Sequence, residues 1–229
     1  TVVPENFSFR MTDEEYRVLE KIKNSIPVCY LADHADFALG IVTGNNKKFL
    51  SAEKTEHSEM VLKGTDICKY HINPAKQYLR FEPEQFQQVA PLEIYRAPEK
   101  LLYRFISNQL VVAYDDRQML SLNSCNIVIP KIEGMQIKYI LAILNSSVSQ
   151  FVYQKEFHSV KVLRAHMEHI PIPRVGKAIQ NEIIAMTEPL ICGMGKEAAE
   201  ACRKRLDGRI MDLFRLSAEE QWIIRHALH

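Results

Sequence analysis

The sequence predicts an α+β fold, with a mixed, β-rich domain followed by a C-terminal helical extension. Between residues 28 and 130, short runs of β-branched and aromatic residues are separated by Gly, Pro and Asn turns. After Gly134 the apolar residues recur at helical spacing, and from Val175 the pattern is helical to the end. We therefore expect a helical lead-in at 1–27, a mixed β-rich domain at 28–173 and a helical extension at 174–229.

The first helix is predicted at 12–26. Thr12 is a favourable N-cap, and Glu15 stands three residues later, as in a capping box. Leu19 and Ile22 follow at helical spacing, and Pro27 bars any continuation of the helix.

Strands are predicted over the next hundred residues. The stretch "FALGIVTGNNKKFLS" is typical of a hairpin, with one strand on each side of a Gly/Asn-rich turn. The runs "QLVVAYDD" and "NIVIPKI" are predicted to form a strand pair around a polar turn. Asp115 and Asp116 in that turn are expected to be solvated and not to bind a metal ion.

Helices dominate the remainder. An apolar face beginning at Ile137 predicts a helix to about Tyr153, and we expect Asn145 and Ser146 to cap or break it in a structural role. The prolines of "HIPIP" require an extended segment. Ser217 is the expected cap of the last helix. The apolar residues expected in the core there are Met211, Leu213, Phe214, Trp222 and Ile223.

Composition sets limits on function. The chain of 229 residues is 47% hydrophobic with a net charge of +1, so any nucleic-acid surface must come from local clustering of cations. Its five cysteines include no C-x-x-C pair, and no metal site is predicted. The first residues, "TVVPENFSFR", contain no apolar signal core, so we expect a cytoplasmic protein with no membrane partner. The chain starts without Met, and we expect it to be part of a longer protein.

Catalytic motifs are not found. The sequence has no G-x-G-x-x-G, P-loop, H-E-x-x-H or G-x-S-x-G pattern, so no catalytic residue is predicted. Basic and amide-bearing loops remain, in which Lys and Arg neutralise phosphates and Asn can read an adenine edge. The candidate DNA-binding residues are Thr43, Asn45, Asn46, Lys47, Lys48, Arg96, Arg104, Lys161 and Arg164.

Six segments in order resemble a known family. They are "DFALGIVTGNNKKFLS", "VLKGTDICKY", "KLLYRFISNQLVVAYDDRQMLSLNSCNIVIP", "IKYILAILNSSVSQFVYQKEF", "LRAHMEHIPIP" and "LDGRIMDLFRLSAEEQWII". Together they resemble the TaqI-like C-terminal specificity domain of N6-adenine DNA methyltransferases and Type IIG restriction-modification enzymes. The first resembles that family's Gly-x-x-Thr-Gly loop, and the similarity runs from about Ala32 to the C-terminus.

The resemblance implies that the mixed β-rich domain at 28–173 is a target-recognition domain, which binds duplex DNA and positions it for a catalytic methyltransferase domain of the same parent chain. It implies a parent that is a prokaryotic defence enzyme, methylating adenine N6 with or without endonuclease activity. S-adenosylmethionine, and Mg for an endonuclease, would be the parent's cofactors. The Asn-Pro-Pro-Tyr/Phe motif that grips the flipped adenine is not in this sequence, so no cofactor and no methyltransferase activity are expected for this chain alone.

Three alternatives remain open. The first is a specificity subunit of a Type I restriction system, although such subunits commonly carry two recognition domains separated by long helices. This sequence predicts one such domain, with shorter helices that are broken by Pro189, Gly193 and Gly195. The second is a protein–protein interaction module that uses "MDLFRL" and "QWIIRHAL" as amphipathic surfaces. The third is a nuclease with an unrecognised site, which a metal-dependent cleavage assay would reveal.

Overall fold

The computed structural model describes residues 11–157 and 159–228. The stretch "TVVPENFSFR", on which the signal-peptide prediction depends, lies outside the described residues, as do His158 and His229. The helices are α1 (Asp13–Asn24), α2 (Asn46–Phe49), α3 (Leu92–Tyr95), α4 (Ile137–Leu144), α5 (Ser147–Glu156), α6 (Arg164–Glu168), α7 (Lys177–Cys192), α8 (Lys196–Leu213) and α9 (Ala218–Ala227). The strands are β1 (Val28–Cys29), β2 (Ala35–Ala38), β3 (Leu50–Ser51), β4 (Ser58–Leu62), β5 (Gln77–Arg80), β6 (Lys100–Arg104), β7 (Val112–Asp115), β8 (Leu120–Ser121), β9 (Cys125–Pro130) and β10 (Ile172–Pro173).

A central antiparallel sheet has the strand order β2-β9-β6-β7. A second sheet, with the order β3-β5-β4-β8, is antiparallel except where β4 pairs with β8. The short strands β1 and β10 form a separate antiparallel pair. The α+β class with C-terminal helices, predicted from the sequence, is confirmed.

The central sheet is covered on both faces because its side chains alternate along each strand. Leu101 and Tyr103 of β6 pack with the apolar faces of α4 and α5 in one buried cluster. Leu102 on the same strand packs with Val61 and Leu79 of the second sheet in another. The result is three layers, in which helices cover one face and the second sheet covers the other.

Two predicted strand pairings are wrong. The strands of the expected hairpin at 37–51 lie in different sheets, because β2 pairs with β9 and β3 pairs with β5. The runs at 112–115 and 125–130 are both strands, but β6 lies between them. Alternation of apolar residues indicates that a strand exists; it does not say which distant strand provides its hydrogen bonds.

The helix boundaries agree closely with the sequence. Thr12 and Glu15 form the predicted capping box of α1, and Ser217 and Glu220 form that of α9. The predicted helix from Ile137 is divided into α4 and α5 at Asn145 and Ser146, with the Ser146 hydroxyl accepting from the backbone N–H of Ser149. The predicted break or cap at this position is therefore confirmed.

The C-terminal helices differ from expectation at two residues. Pro189, expected to break a helix, lies inside α7, which continues to Cys192. Trp222, expected in the core, is 55% exposed, and its ring stacks on His226 with centroids 3.9 Å apart. Met211 and Phe214 are fully buried, as predicted. Within the described residues, no helix combines the length and the apolar character that a membrane span requires.

Candidate nucleic-acid interface

The loop at 43–48 has a defined conformation built from its own side chains. Thr43 is 3% exposed, and its hydroxyl donates to Asn46 Oδ1 at 2.6 Å. Gly44 has a φ of +75°, the left-handed conformation that glycine adopts without strain. Asn45 caps α2, with its Oδ1 accepting from the backbone N–H of Lys48. Thr43 and Asn45 therefore shape the loop, while Asn46, Lys47 and Lys48 project from it into solvent.

A polar groove of about 480 Å³ lies beside this loop. It combines two lysines with three side-chain amides, and its lining contains no carboxylate. The lining residues are Asn46, Lys47, Leu50, Lys63, Gln77, Leu122, Asn123 and Ser124. In residues 11–157 and 159–228, neither Lys47 nor Lys63 forms an ion pair, so both ammonium groups are available to an anion.

Three chain segments meet at the groove through close backbone contacts. The backbone N–H of Ile41 donates to the carbonyl of Ser121 at 2.7 Å, and that of Asn123 returns a bond to Ile41 at 3.1 Å. A Cβ at Gly40 would lie 2.0 Å from the Leu122 carbonyl oxygen. A Cβ at Gly64 would lie 2.6 Å from the carbonyl oxygen of Ser124. The two glycines therefore allow the loop and the turn after β4 to pack on the 122–124 turn.

The sequence reasoning missed several groove residues. Lys63 follows β4 directly and stands before a glycine, as lysines in turns commonly do, so its position carries no functional signal in the sequence. Asn123 and Ser124 form the tight turn between β8 and β9, a position where polar residues are ordinary and carry no functional signal. Nothing in the sequence singled out Gln77. These residues become candidates only because the fold brings them beside Lys47.

Arg96 and Arg104 lie outside the groove, and both make internal contacts. The Arg96 guanidinium donates to both carboxylate oxygens of Glu59 at 2.6 Å. Arg104 donates from Nε to the Gly64 carbonyl at 3.0 Å and from a terminal nitrogen to the Ile67 carbonyl. Arg104 thus holds the turn that carries Lys63. A role for either arginine as a DNA contact stays a prediction.

Lys161 and Arg164 border a second cavity, of about 590 Å³. The Lys161 ammonium lies 5.9 Å from the ring centroid of Phe105, and the Arg164 guanidinium lies 5.1 Å from that of Phe37. Arg164 also donates to Glu168 at 2.7 Å. The nine candidate residues are therefore divided among the loop at 43–48, this second cavity and two internal positions.

Both cavities lie at the same end of the central sheet. Among the residues that line them, Lys47 follows the C-terminal end of β2, Phe105 follows that of β6, and Ser124 precedes the N-terminal end of β9. These three ends are adjacent because β2 and β6 each pair antiparallel with β9. The backbone N–H of Phe105, at the second cavity, donates to the carbonyl of Ser124, at the first. Cations and amides thus converge on one end of the molecule.

The acidic turn at 115–116 is partly an interior structure, contrary to the predicted solvated turn. Asp115 is 1% exposed, and Lys100, with which it forms an ion pair at 2.5 Å, is fully buried. The Asp115 carboxylate also accepts from the backbone N–H groups of Arg117 and Met119. Burial lowers the pKa of Lys100, and the charge of Asp115 opposes that shift. This arrangement fixes the turn, and no cavity described above includes it.

Metal ligands do not cluster in the described part of the chain, where no group of three or more His, Cys, Asp or Glu side chains is suitably placed. Cys29, Cys125 and Cys202 are buried thiols, whereas Cys192 is exposed. The chemistry that the interface offers is therefore charge neutralisation and hydrogen bonding by Lys47, Lys63 and the neighbouring amides.

Comparisons with solved structures identify the fold at low sequence identity. MmeI, a Type IIL restriction-modification enzyme solved in complex with DNA, matches 83% of this chain and 34% of its own, with a TM-score of 0.56 and 10% identity. The type IIG restriction endonuclease BpuSI matches 89% of this chain and 33% of its own, with a TM-score of 0.50 and 10% identity. The HsdS subunit from Thermoanaerobacter tengcongensis matches 94% of this chain and 50% of its own, with a TM-score of 0.45 and 14% identity.

The chain spans between about a third and a half of the length of these structures. No curated protein matches its sequence significantly. A family model does: residues 59–172 match the TaqI-like C-terminal specificity domain. That range includes Lys63, Gln77 and Asn123 of the groove and Arg164 of the second cavity, while the loop at 43–48 lies just before it. Through residues 59–172, the chain belongs to the TaqI-like C-terminal specificity domain family.

Proposed function

We propose that this chain is the sequence-specific DNA recognition domain of a restriction-modification enzyme, which binds duplex DNA and positions it for a catalytic domain elsewhere in the parent protein. The observation that carries the proposal is the groove in which, within the part of the chain that the structure describes, Lys47 and Lys63 stand with no carboxylate in the lining, in a domain of a specificity family. By contrast, Arg104 and Arg164 at the same end of the sheet are engaged with backbone carbonyls and with Glu168, respectively.

The groove's side chains suit the two tasks of DNA recognition. Lysines bind phosphates and set the register of the protein on the duplex, without reading sequence. Amides of Asn and Gln read base edges in the major groove, most specifically the N6 and N7 positions of adenine. Asn46, Gln77 and Asn123 stand beside Lys47 and Lys63, so base readers and phosphate anchors are interleaved.

We infer the activity of the parent enzyme by analogy with similar structures. MmeI is described as a Type IIL restriction-modification enzyme and BpuSI as a type IIG restriction endonuclease. By analogy, we propose a parent that methylates adenine N6, with S-adenosylmethionine bound in a catalytic domain outside this chain and Mg used by any endonuclease part. Such an enzyme acts on DNA in the bacterial cytoplasm.

A Type I specificity subunit is the second candidate. The helices α7 and α8 are 16 and 18 residues long and pack on each other, and α7 continues through Pro189. They are therefore longer than the sequence suggested, as a spacer between two recognition domains would require. The gene decides between the candidates: an Asn-Pro-Pro-Tyr/Phe motif in the same reading frame supports the single-chain enzyme, and a second recognition domain supports the subunit.

DNA binding by the 229-residue chain tests the proposal. Fluorescence anisotropy with a random-sequence duplex across a salt series should show log affinity falling steeply as log salt rises, because phosphate contacts release counterions. Charge reversal by Lys47→Glu and Lys48→Glu should weaken binding to all sequences. Binding that is absent at low salt, both for this chain and for the full-length parent, would contradict the proposal.

A further inference from the structure

The second cavity is an aromatic cleft, formed by Phe37, Tyr103 and Phe105 on one face of the central sheet. Its volume of about 590 Å³ lies within the range of about 300–1,000 Å³ that is usual for ligand pockets. Helices α4 and α5 cover the rest of this face, but here the sheet extends past them toward α6. Phe37 and Phe105 are half-buried, so their rings meet solvent from the cleft.

The floor of the cleft is polar. Tyr103 and Asn126 are paired residues in the β6–β9 ladder and lie side by side, with exposures of 3% and 1%. Asn126 Oδ1 accepts from the backbone N–H of Gly40 at 3.0 Å, which fixes the amide in place. Burial raises the pKa of Tyr103 to about 12, although a hydrogen bond with Asn126 acts the other way. The Tyr103 hydroxyl is therefore a protonated donor at neutral pH.

The rim of the cleft carries cations against apolar residues. Lys161 and Arg164 lie over the rings of Phe105 and Phe37. In the described residues Lys161 has no ion-pair partner, while Arg164 is paired with Glu168. Leu39 and Leu163, 44% and 41% exposed, complete the apolar edge. An occupant would therefore meet aromatic walls, a hydrogen-bonding floor and positive charge at the entrance.

We propose that the aromatic cleft binds one unstacked base of the DNA whose backbone lies along the Lys47–Lys63 groove. This inference rests on the proposed function, since the duplex must first lie at this end of the sheet. Every base has a π-face that stacks on aromatic side chains, and its edge needs polar partners such as Tyr103 and Asn126. The phosphate of the bound nucleotide would lie near Lys161. An apolar side chain of a protein partner would fit the aromatic walls but would carry no negative charge for Lys161, so the cleft suits a nucleotide better.

The test uses two pools of random-sequence duplexes. One pool is fully paired and the other carries one bulged nucleotide at the centre, and the central nucleotide is 5-iodouracil in both. Affinity is measured by anisotropy, and ultraviolet cross-links are mapped by mass spectrometry. The variant Phe105→Leu retains apolar volume but removes the π-face. Ile106→Ala is the matched control, because Ile106 is the next residue, 62% exposed and outside the cleft lining.

The expected result is that the wild-type chain binds the bulged pool at least about fivefold more tightly than the paired pool, with cross-links on Phe37, Tyr103 or Phe105. Phe105→Leu should lose this preference and keep its affinity for paired DNA, whereas Ile106→Ala should keep both. Equal affinity for the two pools, with cross-links elsewhere, would overturn the cleft assignment and leave the proposed function intact. If this chain binds neither pool, the same comparison is made with the full-length parent, and failure of the parent to bind either pool would overturn both proposals.

Discussion

The side-chain amide of Asn145 pairs with both backbone groups of Val112, in the way that a neighbouring strand would. Asn145 Oδ1 accepts from the Val112 N–H at 3.0 Å, and Nδ2 donates to the Val112 carbonyl at 2.8 Å. The backbone N–H of Tyr70 donates to the same carbonyl at 2.8 Å. The edge of β7 is therefore closed by two residues from outside the sheet, and Asn145 ties the α4–α5 junction to the central sheet.

Replacement of this amide should destabilise the fold. Asn145→Leu leaves the buried N–H of Val112 without an acceptor, which costs about 1–3 kcal/mol, and removes one of the two donors to the Val112 carbonyl. We expect the free energy of unfolding to fall by about 2–4 kcal/mol in urea titrations. Asn108→Ala, an exposed amide in the β6–β7 loop, is the control and should change it by less than about 0.5 kcal/mol. A similar effect of the two variants would disprove a bracing role for Asn145.

Gly40 should not tolerate a side chain. In Gly40→Ala the new Cβ would lie 2.0 Å from the Leu122 carbonyl oxygen and 2.7 Å from that of Cys125, so the backbone beside the groove must shift. We expect a loss of about 1–3 kcal/mol of stability, together with weaker DNA binding. Gly208→Ala is the matched control: Gly208 lies in α8 with open space around its Cβ, and the change should stabilise the helix by about 0.5–1 kcal/mol. Equal thermal stability of the two variants would refute the close-packing argument.

Alkaline pH should reveal the burial of Tyr103. Its pKa is raised from 10.0 to about 12 in the folded protein, chiefly by burial. The unfolded chain therefore loses the proton first, so this stabilisation is complete below pH 10 and disappears as pH rises towards 12. Over that interval, the free energy of unfolding of the wild type should fall by up to about 1.4 kcal/mol per pH unit more than that of Tyr103→Phe. Parallel stability curves for the two proteins would mean that the hydroxyl is solvated.

The sequence was most informative where structure is local. The caps at Thr12 and Ser217 and the break at Asn145 depend on residues within a few positions, and all three were predictable. The partner of each strand was not, because pairing joins segments such as 35–38 and 127–130 that are distant in the chain. The burial of Asp115 was missed for the same reason, since its partner Lys100 lies on a neighbouring strand.

The candidate site shows the same division. Lys47 was predicted from an exposed Gly/Asn loop, a pattern that is visible in sequence. Lys63, Gln77 and Asn123 come from three separate segments, and only the second sheet and the glycine contacts place them together. The internal engagement of Arg96 and Arg104 is also a tertiary property, which a count of basic residues does not reveal.

The most direct test of the DNA-binding account compares salt dependence in three proteins: wild type, Lys47→Ala/Lys63→Ala and Lys177→Ala. Lys177 is an exposed lysine in the first turn of α7, beside the residues that follow the opposite end of β9. If Lys47 and Lys63 each bind a phosphate, the plot of log affinity against log salt should be less steep in the double variant, by about 2 in the magnitude of its slope. Lys177→Ala should leave the slope unchanged. Unchanged slopes in both variants would contradict the assignment of the groove as the DNA-binding surface.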